Sequence, residues 1–154
     1  MTTKKISIGP IGLNNRALAY DKDNNAIWVA SSGDNSLTKI DAMTNTIIGK
    51  YDCETPPIDI VYDPFHKAIW VASGGEPMLV MMDALTGNII DKFQVSTHST
   101  SMTYDYKNRC VWLASRIRPE ITKFNTMSNK VVDEYHIGGV ISHDIEYDSF
   151  TESV

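Results

Sequence analysis

The sequence has little cysteine, no long apolar run and few cationic residues. Its two cysteines are too few for a disulfide scaffold. Uninterrupted apolar stretches reach about five residues, as at 78–82, which is too short for a membrane span or a signal-peptide core. The 14 basic residues are outnumbered by 19 acidic ones, and the formal net charge is −5. The sequence therefore lacks the cluster of basic residues that binds nucleic acid or an anionic membrane surface. We expect a cytoplasmic protein that binds neither nucleic acid nor a membrane.

What the sequence has instead is an internal repeat. Ile-Trp-Val-Ala-Ser at 27–31 recurs at 69–73 and, as Val-Trp-Leu-Ala-Ser, at 111–115, with a spacing of 42 residues both times. A Tyr-Asp pair stands eight residues before each tryptophan, and an apolar pair closes each repeat. The 154 residues hold three such periods, with 28 residues left over. A repeat of this length indicates tandem supersecondary units.

Each repeat is predicted to form four short strands, named a to d in chain order. Strand a ends at the Tyr-Asp pair, and strand b is the β-branched and aromatic Ile-Trp-Val-Ala run. Strands c and d flank an Asp-x-x-Thr-Asn/Gly turn. Four strands in about 42 residues is the period of β-propeller blades. The sequence therefore predicts an all-β fold of propeller blades with little helix.

These motifs resemble a known group of propeller blades. Pro-x-x-Ile-x-Tyr-Asp, then Ile-Trp-Val-Ala, then Ile-Asp-x-x-Thr-Gly-x-Ile is similar to the YVTN/NHL/virginiamycin-B-lyase-like group, and the resemblance covers essentially the whole chain. The resemblance implies a β-propeller architecture. It implies little about activity, because such blades carry many functions.

The repeat divides the chain into one incomplete propeller domain, 1–154. Three complete blades are predicted at 15–53, 57–95 and 99–137. A clasp-like strand at 4–10 resembles strand d, and 142–154 resembles the first strand of a further blade. Propellers typically need four to eight blades to close, so the single chain is predicted to be incomplete. It is a fragment of a longer propeller, closes its ring as a homo-oligomer, or is completed by a second chain.

Most of the repeated side chains have a structural interpretation. The tryptophans and the tyrosines of the Tyr-Asp pairs are expected in the core between blades, and the paired aspartates in turns. Cys110 takes the place of alanine in the other repeats, which predicts a small buried side chain, and Cys53 is predicted to be a free thiol in a d–a loop.

Residues that break the repeat are the better candidates for function. The d–a and b–c loops of a propeller lie on one face, called here the loop face, around the mouth of the central channel. Strand a is innermost, and its charged residues that break the repeat are Arg16, Asp59, His143 and Asp144. Related lyase- and lactonase-type propellers gather metal ligands at this place, so a divalent metal is an alternative there. No spacing motif supports it, and we assign no catalytic residue, metal ligand or cofactor.

The b–c loops are the least alike segments of the three repeats. The third carries Arg116 and Arg118, and arginine is a favoured interface residue. His98 is expected on the same face. We therefore expect a non-catalytic interaction module that binds a protein or glycan through the loop face of an oligomeric or split propeller. A lyase- or lactonase-type enzyme and a structural assembly component, such as one of a virion, are the alternatives.

Overall fold

The computed structural model describes residues 7–96, 98–115, 117–139, 144–151 and 153–154. These residues form twelve strands and no helix, which confirms the all-β prediction. The strands are β1 (Asn15–Asp21), β2 (Ala26–Ser31), β3 (Ser36–Asp41), β4 (Thr46–Asp52), β5 (Pro57–Asp63), β6 (Ala68–Ser73), β7 (Met78–Asp83), β8 (Ile89–Gln94), β9 (Ser101–Asp105), β10 (Cys110–Ala114), β11 (Glu120–Asn125) and β12 (Lys130–His136).

Consecutive strands form three four-stranded antiparallel sheets, namely β1–β4, β5–β8 and β9–β12, called blades 1, 2 and 3. Each sheet is the up-and-down meander of a propeller blade. The first strands lie side by side, with β1 next to β5 and β5 next to β9, so they form the inner edge of an arc. The described residues do not close this arc into a ring, as predicted.

The turns follow the aspartate chemistry expected from the sequence. In the c–d turn of blade 1, Asp41 Oδ1 accepts hydrogen bonds from the amides of Met43 (2.8 Å) and Thr44 (2.7 Å). The turn closes at Asn45 with a φ of 58°, and Gly87 takes the same place in blade 2 with a φ of 75°. Asparagine and glycine are the residues that tolerate this left-handed backbone.

Each a–b turn is built on the buried aspartate of the Tyr-Asp pair. Asp105 is 2% exposed. It accepts hydrogen bonds from the amides of Lys107 and Asn108, from Asn108 Nδ2 (2.8 Å) and from Trp112 Nε1 (3.4 Å). In blade 2, Asp63 binds its own turn and Trp70 Nε1 in the same way. These carboxylates therefore join the turn to the core of the blade.

The core lies between the blades. Trp28 and Trp70 are fully buried, and the Trp70 ring packs edge-on against Phe124 of the next blade, with 5.4 Å between ring centroids. Polar contacts cross the first junction as well. Tyr62 Oη donates to Asp23 (2.8 Å), and the buried Lys39 Nζ donates to the carbonyl of Ala84 (2.6 Å). Each blade therefore presents its tryptophan side to the following blade and its tyrosine side to the preceding one.

The two flanking segments do not form strands where they are described. Residues 7–12, which include the described part of the clasp-like segment 4–10, are irregular. They lie over the tyrosine side of blade 1, called here its front. There the Ile11 carbonyl accepts a hydrogen bond from Thr38 Oγ1 (2.5 Å). In the second segment, predicted at 142–154, the described residues form only an isolated bridge between Asp148 and Ser153. A strand needs a paired neighbour, and the described chain supplies neither the c strand nor the b strand that these segments would pair with.

The front of blade 1 differs sharply from the fronts of the other blades. Leu18 is 68% exposed, whereas the equivalent Ile60 is 2% exposed in blade 2. Tyr20 is 53% exposed, whereas Tyr62 and Tyr104 are 5% and 3% exposed. The prediction that all these tyrosines are core residues is therefore wrong for Tyr20, because no described blade covers that side of β1.

Candidate interaction surfaces

Asp59 lies at the inner edge of blade 2, directly after a β-bulge at the start of β5. Its Oδ2 accepts a hydrogen bond from the amide of Met102 in blade 3 (2.7 Å), and its Oδ1 accepts one from the Ile60 amide (2.8 Å). Burial raises the pKa of Asp59 above its ordinary value despite these bonds, and the charge of Asp144 adds to the rise. The carboxylate therefore holds two inner strands together.

Asp144 lies beside the next inner strand. Its Oδ1 accepts hydrogen bonds from Ser101 Oγ (2.7 Å) and from the Ile145 amide (2.9 Å). The structure thus brings Asp59 and Asp144 to neighbouring places along the inner edge of the arc, on either side of β9. Within the described residues no group of three histidine, cysteine, aspartate or glutamate side chains is arranged to hold a metal ion. The hydrogen bonds give both carboxylates a structural role.

Arg16 lies at the start of β1, beside the b–c loop of blade 1. A β-bulge leaves it without a partner residue in β2, and bulges commonly redirect side chains in this way. Its Nε donates to Ser32 Oγ in the b–c loop (3.2 Å). The side chain is exposed and lines a shallow depression with Ile11 and Leu18.

His98 and Arg118 share one small cavity of about 100 Å³ on the loop face. Ser96, Ser115 and Ile117 complete its lining. Buried Ser115 orders the b–c loop, because its Oγ accepts hydrogen bonds from the amides of Ile117 (3.2 Å) and Arg118 (3.3 Å). The two remaining predicted site residues, Arg116 and His143, lie outside the described residues.

Both cysteines are buried and free. The predictions of a buried Cys110 and of a free thiol at Cys53 are confirmed. Burial raises the pKa of the Cys53 thiol to about 11, and it raises the pKa of Cys110 as well. A thiol with a raised pKa is a poor nucleophile at neutral pH. The part of the chain that the structure describes contains no helix that could span a membrane.

The opposite face carries a groove that the sequence predictions did not identify. One a–b turn from each blade contributes to it, and the groove, of about 360 Å³, is lined by Lys22, Pro64, Phe65, Tyr104, Tyr106 and Arg109. We call it the turn groove. The Arg109 guanidinium lies over the Phe65 ring, with its Cζ 3.8 Å from the ring centroid. Tyr104 and Tyr106 meet edge to face, with 5.1 Å between centroids.

The signal for this groove was present in the repeat. Lys22, Pro64 and Tyr106 occupy equivalent positions in the three a–b turns, yet they share no chemical character. The next position is equally varied, with Phe65 in blade 2 and aspartate or lysine in the others. These positions break the repeat just as the b–c loops do, but the sequence predictions did not include them.

The three sheets and their inner edge define an arc of β-propeller blades. No protein-family model matches the chain, and no curated protein matches it. Among solved structures it is similar to hydrazine synthase of Kuenenia stuttgartiensis, with a TM-score of 0.77 and 12% identity over 85% of this chain and 38% of that chain. It is similar to the WD40 repeats of RRP9 and to U3-55K, each with a TM-score of 0.75 and 12% identity over 87% of this chain and 42% of that chain.

At 12% identity these similarities show the fold alone. The chain spans about two fifths of the length of the proteins it resembles. These similarities confirm the prediction of a β-propeller repeat protein.

Proposed function

We propose that this chain is a non-catalytic interaction module whose arc of blades is completed by another copy of the chain or by a second chain. We further propose that its blades belong to the YVTN/NHL/virginiamycin-B-lyase-like group. The motifs Pro-x-x-Ile-x-Tyr-Asp and Ile-Trp-Val-Ala support that assignment. We also propose that the loop face binds a protein or glycan partner, which the shared cavity of His98 and Arg118 supports.

The observation that carries the proposal is the exposure of two apolar side chains of β1 on the front of blade 1. Leu18 and Tyr20 are mostly exposed, whereas their equivalents in blades 2 and 3 are at most 5% exposed. Burying a leucine or a similar apolar side chain contributes about 1.5–3 kcal/mol. The fronts of blades 2 and 3 show what such a surface accepts, namely the tryptophan side of a preceding blade. Association that covers these side chains is therefore favourable.

The test compares two leucine-sized side chains on the same blade. We expect the wild-type chain to associate, with a mass above its 17.2 kDa in concentration-dependent light scattering, and Leu18→Glu to weaken that association. Ile48→Glu is the matched control, because Ile48, Ile90 and Val132 are exposed to similar extents (50%, 51% and 47%) in all three blades. A folded wild-type monomer at every concentration, or equal effects of the two variants, contradicts the proposal.

A further inference from the structure

The turn groove is a composite surface that exists only when three blades are assembled. Blade 1 contributes Lys22, blade 2 contributes Pro64 and Phe65, and blade 3 contributes Tyr106 and Arg109. It is an open depression of about 360 Å³. It opens towards a second cavity of about 370 Å³ on the inner edge of the arc, and the two share Lys22, Tyr104 and Tyr106.

The charge of the groove is opposite to that of the protein. The chain has a net charge of −5, yet the groove is lined by two cations and no carboxylate. Neither Lys22 nor Arg109 forms an ion pair within the described part of the chain. The aspartates that begin the turns of blades 2 and 3 point inward. Each accepts hydrogen bonds from the backbone amides of its own turn and from a tryptophan Nε1. In blades 2 and 3 these carboxylates therefore do not face the groove, and in blade 1 the exposed Asp23 accepts a hydrogen bond from Tyr62.

Aromatic rings stand beside these cations. Phe65 and Tyr106 are 50% and 56% exposed. Tyrosine, phenylalanine and arginine are the residues enriched at protein interfaces. The Arg109 guanidinium is already oriented by its contact with Phe65, so little side-chain entropy is lost when it binds an anion. The groove thus combines an anion site with flat surfaces for apolar side chains.

We propose that the turn groove binds an acidic, extended peptide segment whose aromatic side chains pack against Phe65 and Tyr106 while its carboxylates pair with Lys22 and Arg109. Single-stranded nucleic acid also combines negative charge with flat rings. It is disfavoured because two cations on an acidic protein provide little of the phosphate neutralisation on which such binding depends. This inference does not rest on association through blade 1, since all of the residues named lie within one arc.

The probe is a random copolymer of glutamate and tyrosine, titrated into the whole chain and followed by calorimetry. Arg109→Asn removes the cation but keeps the backbone, because Arg109 has a φ of 54° and the equivalent residue in blade 1 is Asn25 with a φ of 46°. Lys67→Asn is the matched control: Lys67 holds the same turn position in blade 2, with a φ of 52°, and does not line the groove.

We expect the copolymer to bind the wild-type chain, Arg109→Asn to weaken the affinity about tenfold or more, and Lys67→Asn to leave it within about twofold. Polyglutamate should bind more weakly than the copolymer, because it lacks the rings. No copolymer binding, an equal loss in both variants, or equal affinity for polyglutamate overturns the proposal. Preferential binding of oligothymidylate overturns it in favour of a nucleic-acid site.

Discussion

At the scale of the residue, the aspartate of the Tyr-Asp pair makes more stabilising hydrogen bonds than a turn residue alone would make. The sequence predicts a turn residue at Asp105, and the structure adds a bond to Trp112 that ties the turn to the core. Burial opposes ionisation of Asp105, but hydrogen bonds from the Asn108 side chain, the turn amides and Trp112 outweigh it. They hold the pKa of this carboxyl below its ordinary value of 3.8. The ionised form therefore stabilises the fold.

Because the pKa of Asp105 is lowered in the folded state, its contribution to the free energy of unfolding decreases in acid. The stabilisation is fully present above the ordinary pKa of 3.8 and is lost as the pH falls through the lower pKa of the folded state. We expect Asp105→Asn to reduce the free energy of unfolding by about 1–3 kcal/mol at neutral pH, and by less in acid. Urea unfolding at several pH values measures both. Asp133→Asn, at an exposed position in β12, is the control, and a loss that is independent of pH would contradict this account.

At the scale of the element, the hydrophobic pattern fixes each strand, while the contacts between blades decide what each turn tolerates. The repeat places asparagine at positions 45 and 129 and glycine at 87, all with positive φ. From the sequence alone the three positions look interchangeable. In the structure a Cβ atom at Gly87 would collide with the ring of Tyr51 from blade 1. The difference arises from packing across a junction, which local sequence does not encode.

We therefore expect Gly87→Asn to destabilise the fold by about 1–3 kcal/mol, although asparagine suits the backbone of this turn. Tyr51 must move to make room for the new side chain. Thermal or urea unfolding measures the loss. Asn129→Gly, the reverse exchange in blade 3, should change the free energy of unfolding by less than about 1 kcal/mol. Equal effects at the two positions would show that backbone conformation, and not Tyr51, sets the cost.

The same distinction explains which site predictions could be made in advance. Twelve strands in three blades follow from a repeat that holds over the whole chain. The sequence places His98 and Arg118 in two loops on the same face, but it does not predict that they line one cavity. The pairing of Asp59 with the Met102 amide was not foreseeable, because it depends on how closely the inner strands of successive blades approach. The turn groove depends on the same approach.

At the scale of the whole molecule, stability is distributed unevenly along the arc. Every residue of β6 in blade 2 is buried, because this blade is covered on both sides. The equivalent strands β2 and β10 each contain a less buried residue. In stacked repeats the stability is close to a sum of unit and neighbour contributions, so the unit with two neighbours is the most stable.

Native-state hydrogen exchange should show this gradient directly. We expect the amides of β6 to exchange more slowly than their equivalents in β2 and β10. Fragment-resolved mass spectrometry under native conditions measures all three strands in one sample. Identical protection in the three strands would mean that the blades unfold as a single unit, and would contradict the gradient.

Each blade uses one surface to contact the following blade and a different surface to contact the preceding one. Trp70 meets Phe124 of the following blade, Lys39 donates to Ala84 of the following blade, and Asp59 accepts from Met102 of the following blade. The arc is therefore a polar object with two different ends, and like ends do not match. Two copies related by a twofold axis through either end would place tyrosine side against tyrosine side or tryptophan side against tryptophan side. Copies that associate by these ends must add in one sense only, so each addition leaves a fresh end until the series closes on itself or grows as a filament.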